Sequence, residues 1–148
     1  MAIALYFQGS STIVAENLVE PTAQVSSEPK NNVVFDISVK TVEQLRDVLT
    51  RADNLASEPR SATQPANISI MLHGKEIEYF TIDHYKQYKD IVDLSAKLDA
   101  YNVIQFKMCE TAMKDFGVEK DNVPGFIEFV PNGELEIKNL VRQGYTVM

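Results

Sequence analysis

Short apolar runs alternate with longer amphipathic segments along the chain, from residue 33 almost to its end. The short runs are rich in β-branched residues, as buried parallel strands are, whereas the longer segments repeat apolar residues at helical spacing. The pattern predicts strands at residues 33–39, 67–72, 103–108, 126–130 and 145–147. It predicts helices at residues 42–56, 84–101, 110–116 and 134–142, and a short helix at 76–82.

This alternation predicts the fold class. Strands that are separated by helices pair in parallel through right-handed crossovers, and the helices then cover the faces of the sheet. We therefore expect residues 33–148 to form one α/β domain, a three-layer α/β/α sandwich with a five-stranded, mostly parallel sheet. The order of the strands in that sheet does not follow from the pattern.

The first 32 residues stand apart from the alternation. Residues 5–10, Leu-Tyr-Phe-Gln-Gly-Ser, match the remnant of a protease-cleavage site, so we exclude residues 1–10 from the fold as expression-derived. Residues 11–32 are rich in Ser, Glu, Pro, Ala and Asn, which predicts a polar, disordered leader. Such a leader fits a chain cut behind a secretory signal, and it equally fits a cytoplasmic protein, so the compartment stays open between cytoplasmic and periplasmic or exported.

Composition and charge narrow the classes of function. The chain has 148 residues, of which 45% are hydrophobic and 24% charged, as expected of one globular domain. Its formal net charge of -7 argues against a broad basic surface for nucleic acid. No apolar run approaches the roughly 18 residues that a membrane-spanning helix needs. We therefore expect neither a nucleic-acid partner nor a membrane span.

Cys109, the single cysteine, lies between a predicted strand and a predicted helix. Backbone N–H groups at the start of a helix carry partial positive charge and stabilise a thiolate. Glu110 opposes this effect with its negative charge, and the nearby basic residues are Lys107 and Lys114. Cys109 is thus the candidate catalytic residue, although a lone cysteine is often an inert part of the core.

His73 also follows a predicted strand. Ligands of parallel sheets bind outside the carboxyl ends of the strands, so we take His73 as a candidate binding residue beside Cys109. A hydrogen-bonded structural histidine is the simpler interpretation. Two histidines and one cysteine match no zinc spacing, and a glycine-rich phosphate loop is missing from the sequence, so we expect no metal and no organic cofactor.

Three segments resemble one protein family. Residues 109–118, Cys-Glu-Thr-Ala-Met-Lys-Asp-Phe-Gly-Val, resemble the cysteine segment of the DsrE/DsrF-like family, in which seven residues separate the cysteine from Gly-Val. Residues 129–135, Phe-Val-Pro-Asn-Gly-Glu-Leu, resemble its Val-Pro-x-Gly turn. Residues 140–145, Leu-Val-Arg-Gln-Gly-Tyr, resemble its closing Gln-Gly-Tyr segment. The resemblance extends over about residues 33–147.

The resemblance implies a sulfur-relay protein similar to TusD. Such proteins carry a persulfide on the cysteine, exchange its sulfur with a donor or acceptor protein or a small thiol, and are often oligomers. Only Cys109 receives a chemical role from the resemblance, that of a sulfurtransferase-like persulfide carrier, and we expect a homo-oligomer. The matching positions Gly117, Pro131, Gly133, Gly144 and Tyr145 are interpreted as structural.

A second hypothesis belongs to a different class. The domain would then be a non-catalytic module that binds a small ligand or a partner beside His73 and Cys109, with a chemically silent thiol. Substitution of Cys109 by serine separates the two hypotheses, because only the sulfur carrier loses its activity.

Overall fold

The structure, a computed structural model, describes residues 32–56 and 66–148. In these ranges strands and helices alternate, which confirms the predicted α/β class. The strands are β1 Val33–Ile37, β2 Ile68–Leu72, β3 Ile104–Cys109, β4 Glu128–Val130 and β5 Thr146–Val147. The helices are α1 Val42–Ala56, α2 Lys89–Ala100, α3 Glu110–Asp115 and α4 Gly133–Arg142, with 3-10 helices at Lys75–Phe80, Ile82–His84 and Lys120–Asn122. The predicted cleavage remnant and all but the last residue of the predicted leader lie outside the described residues.

The five strands form one parallel sheet in the order β4-β3-β2-β1-β5. From β1 to β4 the chain advances in one direction across the sheet, and from β4 to β5 it returns over the whole width. Right-handed crossovers in opposite directions place their helices on opposite faces. α1, α2 and α3 therefore share one face, and α4 lies on the other, where it contacts β1, β2 and β5.

Two apolar clusters correspond to the two faces, since successive strand residues point to opposite sides. The larger cluster lies against α1, α2 and α3, and its strand residues are Val33, Phe35, Ile37, Ile68, Ile70, Leu72, Ile104, Phe106, Met108 and, at the end of β3, Cys109. The smaller cluster lies against α4 and contains Val34, Met71, Val130, Ile137 and Leu140. The face under α4 thus has the smaller apolar core, and it also carries polar side chains, including the buried Ser69 and Lys107.

Two predicted helices differ from those of the structure. The short helix expected at 76–82 is a pair of 3-10 helices, and α2 begins at Lys89 rather than at residue 84. The Thr81 hydroxyl lies 2.7 Å from His84 Nδ1 and donates to the carbonyl oxygen of Glu78 at 2.8 Å. These local hydrogen bonds favour tight turns over a continuous helix.

Glu76 ties together the carboxyl ends of β1 and β2. Its carboxylate is fully buried, and Oε1 accepts the backbone N–H groups of His73 at 2.8 Å and Gly74 at 2.7 Å. Oε2 accepts the N–H of Val39 at 3.2 Å, so β1 ends at Ile37, two residues earlier than predicted. A side chain at Gly74 would place its Cβ 2.7 Å from Glu76 Oε2, so this position needs glycine.

The charge of Glu76 makes stability depend on pH. Burial raises the pKa of Glu76 above its ordinary value of 4.5, although the N–H donors and His73 lower it in part. An acid with a higher pKa in the folded state binds protons more tightly when folded. Its contribution to the free energy of unfolding is therefore largest below about pH 4.5 and decreases as the pH rises through the raised value.

We expect Glu76→Gln to be less stable than the unsubstituted protein by about 1–3 kcal/mol at low pH, since its amide NH₂ cannot accept the N–H of Val39. The difference should shrink toward neutral pH, because only the glutamate ionises. Urea unfolding from about pH 4 to 7.5 measures both effects. Glu43→Gln, at a side chain that is 72% exposed, is the control and should show neither effect. A stability difference for Glu76→Gln that is independent of pH would contradict the assignment.

Candidate functional site

Cys109 is the last residue of β3 and the N-cap of α3, so the structure places the thiol at the predicted strand–helix junction. The residue is buried, with 5% of its surface exposed. Its Sγ accepts the backbone N–H of Gly133 at 3.2 Å. Gly133 is the first residue of α4, so the hydrogen-bond donor to the thiol comes from α4 and not from α3.

The start of α4 is arranged around this contact. Asn132 is the N-cap, and its Oδ1 accepts the N–H of Leu135 at 3.0 Å while its carbonyl oxygen accepts the N–H of Glu136 at 3.1 Å. The Thr111 hydroxyl donates to the carbonyl oxygen of Pro131 at 3.0 Å and fixes the preceding loop. The N–H of Gly133 is thus left for the sulfur, at the end of the helix where partial positive charge accumulates.

Gly133 is closely packed beside the thiol. A Cβ at this position would lie 3.3 Å from each of three atoms, namely Cys109 Cβ, His73 Cβ and Met71 Sδ. These contacts are tighter than ordinary van der Waals packing, so a larger residue would displace its neighbours. The same distances place the Cβ atoms of Cys109 and His73 both beside Gly133, at the start of α4.

The imidazole of His73 is engaged elsewhere. Its Nε2 pairs with Oδ1 of Asp36, and Asp36 is a residue of β1 whose side chain is 42% exposed. Within residues 32–56 and 66–148, no hydrogen bond joins His73 to Cys109. The structure therefore brings the two predicted site residues to one edge of the sheet, but it does not pair their reactive atoms.

Two sets of charged residues near the thiol form ion pairs. Glu110, expected to oppose a thiolate, forms an ion pair with Lys120 at 2.6 Å. The Lys107 side chain is 8% exposed and contacts Glu136 Oε1 at 2.6 Å and Glu128 Oε1 at 3.3 Å. Burial lowers the pKa of Lys107, but the two carboxylates outweigh it and leave the pKa above its ordinary value of 10.5. The ammonium group is therefore charged at neutral pH.

A groove of about 400 Å³ borders the site along α3 and the loop that follows. Five of its eight lining residues are charged, namely Glu110, Lys114, Glu119, Lys120 and Asp121. In the described part of the chain, no three His, Cys, Asp or Glu side chains are grouped so as to hold a metal ion. None of the helices described is long and apolar enough to cross a membrane.

Comparisons with known proteins address the family. The sequence model of the DsrE/DsrF-like family matches residues 48–148. The chain belongs to the DsrE/DsrF-like family. The predicted family is thereby confirmed, on a stretch that contains both the Cys109 segment and the closing segments.

One solved structure similar to this DsrE/DsrF-like protein is that of a protein of unknown function, MTH1491, from Methanobacterium thermoautotrophicum. The TM-score is 0.64 at 16% sequence identity, and the match covers 78% of this chain and 96% of that chain. At this identity the likeness supports the fold alone. A search of curated proteins gave no match to the chain.

Sequence reasoning missed two parts of the site. The first is Gly133, interpreted as a turn residue, which contacts Cys109 across 24 positions of the chain. Asn132 ahead of an amphipathic run was a usable signal for the start of a helix, but nothing in the sequence placed that start beside the thiol. The second is Asp36, which falls inside a strand pattern and gives no sign of its pairing with His73.

Two substitutions at Gly133 separate the hydrogen bond from the packing. Gly133→Ala adds a Cβ but keeps the N–H, and we expect it to lower the free energy of unfolding by about 1–2 kcal/mol through overpacking. Gly133→Pro removes the N–H and places the ring Cδ where the hydrogen was, so it adds more bulk than alanine, at a first helical position where proline is well tolerated.

The readout is alkylation of Cys109 by iodoacetamide. We define the neutral reactivity ratio as the alkylation rate at pH 7 divided by the rate on the alkaline plateau, which cancels changes in access to the thiol. Loss of a hydrogen bond to a thiolate should lower this ratio about tenfold in Gly133→Pro, with little change in Gly133→Ala. Equal ratios in the two variants would show that the N–H does not stabilise the thiolate.

Proposed function

We propose that this DsrE/DsrF-like protein is a sulfur carrier that accepts a persulfide sulfur on Cys109 and passes it to an acceptor thiol. The observation that carries the proposal is the N–H of Gly133, which donates to Cys109 Sγ at 3.2 Å from the start of α4. Membership of the family supports a role related to sulfur relay. The persulfide and the chemical role of Cys109 are the proposal.

The transfer needs only thiol chemistry. The Cys109 thiolate attacks the outer sulfur of a donor persulfide, R–S–SH, so that a new S–S bond forms on Cys109 and the bond between the two donor sulfurs breaks. The electron pair of that bond leaves on the donor as R–S⁻, and the proton stays on the transferred sulfur. An acceptor thiolate then attacks the outer sulfur on Cys109 and releases the Cys109 thiolate again.

The start of α4 suits the anions of both steps. The N–H of Gly133 supports the inner sulfur, and its partial positive charge favours a thiolate leaving group. The next amide, that of Glu134, has no hydrogen-bond acceptor within the described residues, and we assign it to the outer sulfur of the persulfide. Even a Cβ on Gly133 would lie 3.3 Å from atoms of Cys109, His73 and Met71, so the extra sulfur atom needs these side chains to move slightly.

The partners follow from this chemistry. We propose persulfide-bearing proteins or small thiols as donor and acceptor, since the carried sulfur must be exchanged between thiols. Two residues of α4 expose apolar side chains, Leu135 at 59% and Val141 at 46%. We propose that these exposed side chains contribute to a homo-oligomer.

A second candidate function is a non-catalytic binding module of the same fold. The observation that favours it is the burial of Cys109, since only 5% of the residue is exposed and its thiol already has a hydrogen-bond partner. The bordering groove of about 400 Å³ would then receive a small ligand or a partner segment.

Intact-mass measurement after exposure to a small-molecule persulfide donor tests the sulfur carrier. We expect a gain of one sulfur, about 32 Da, that a reducing thiol removes. Cys109→Ser should show no gain while its thermal unfolding and oligomeric state stay unchanged. A protein that gains no sulfur under these conditions, or a serine variant that gains as much, would reject the sulfur carrier and favour the binding module.

A further inference from the structure

Two polar contacts connect β3 to α4. Cys109 and Lys107 are two positions apart on β3, so they point to the same face of the sheet. Gly133 and Glu136 are three positions apart on α4, so they lie on neighbouring parts of its surface. Cys109 Sγ accepts the N–H of Gly133 at 3.2 Å, and Lys107 Nζ contacts Glu136 Oε1 at 2.6 Å.

The apolar packing of α4 is concentrated away from its start. Its large buried side chains are Ile137 and Leu140, at 9% and 4% exposure, in the middle and second half of the helix. In the first turn Leu135 is 59% exposed. Hydrophobic contacts therefore hold the later part of α4 against the sheet, and near its beginning the ion pair of Glu136 with Lys107 adds a polar contact with β3.

Lys107 is well suited to this role. The side chains of Lys107 and Glu136 are 8% and 21% exposed, whereas those of the ion pair between Arg46 and Asp90 are 46% and 58% exposed. Exposed pairs contribute little to stability, but removal of one partner of a buried pair leaves an uncompensated charge and is costly. Lys107 also contacts Glu128 of β4 at 3.3 Å, so it links three elements.

We propose that Lys107 is a positioning residue for Cys109, which through Glu136 holds the start of α4 so that the N–H of Gly133 points at the thiol. The inference rests on the proposed function, because the reactive thiol of that function needs this donor. Within the described residues, the hydrogen bonds of Lys107 Nζ go to Glu128 and Glu136 and not to Cys109 Sγ.

Other charged groups also lie near the thiol and affect how the alkylation rate of Cys109 depends on pH. On β1 and β2 they are Asp36 and His73, which pair with each other. On α3 and the following loop they are Glu110 and Lys120, also a pair. On α4 and β4 they are Glu134, Glu136 and Glu128, of which the last two contact Lys107. A direct field effect of Lys107 on the thiolate must therefore be separated from its effect on helix position.

The sign of the Glu136 substitution separates the two effects. If Lys107 and Glu136 act only through their charges, Lys107→Met lowers the neutral reactivity ratio and Glu136→Leu raises it, since it removes a negative charge. If they act by holding α4, both substitutions lower the ratio, and the double variant is no worse than either single one because one link is broken.

We therefore expect Lys107→Met, Glu136→Leu and the double variant each to lower the neutral reactivity ratio of Cys109 about fivefold. Arg46→Met, which breaks the exposed pair with Asp90, is the matched control and should leave it unchanged. A Glu136→Leu ratio equal to or above that of the unsubstituted protein would overturn the proposal, as would losses that add in the double variant.

Failure of the proposed function gives a different result. A protein that gains no sulfur mass, yet loses neutral reactivity in all three variants, would retain the positioning role of Lys107 and reject sulfur carriage. A protein that gains sulfur mass, with an unchanged neutral reactivity ratio in the variants, would retain sulfur carriage and reject the positioning role of Lys107. Thermal unfolding of each variant confirms that the measured protein is folded, and the ratio itself cancels any gain in access to the buried thiol.

Discussion

The return of the chain from β4 to β5 is the constraint on which the site depends. β4 and β5 are the two edges of the sheet, so the connection between them must cross its full width, and its handedness places α4 on the face opposite the other three helices. In the register of the sheet, Cys109 is aligned with Val130, the last residue of β4. Gly133 follows Val130 by a short loop, so the start of α4 lies directly beside the thiol.

Two buried charged side chains, Glu76 and Lys107, lie toward the carboxyl ends of the strands, and both have hydrogen-bond partners. Glu76 accepts three backbone N–H groups from the segments after β1 and β2, and Lys107 contacts two carboxylates across β3, β4 and α4. Buried polar groups with complete partners rigidify their surroundings, whereas a missing partner is costly. Glu76 thus fixes the loop that carries His73, and Lys107 fixes the helix that faces Cys109.

The sequence predicted what depends on local pattern. Periodicity located the strands and helices, and the abrupt change from one pattern to the other at Cys109 placed the thiol at a strand–helix junction. The start of α2 was wrong because the hydrogen bonds of Thr81 stabilise tight turns within a segment of helical spacing. Strand order and the contact between Cys109 and Gly133 depend on pairings far apart in the chain, for which a single sequence contains no signal.

The negative charge of the chain limits which groups can stabilise a thiolate at Cys109. With a net charge of -7 and Glu110 beside the cysteine, a thiolate gains nothing from the overall field of the protein. The nearby ammonium groups of Lys107 and Lys120 are already paired with glutamates. A lysine side chain is mobile and can be neutralised by a neighbouring carboxylate. A backbone N–H at a helix start has a direction that is set by the helix, and it does not move to pair with a carboxylate. A thiol in an acidic protein can therefore be stabilised as an anion by a fixed dipole, provided that the helix which supplies the dipole is held in place.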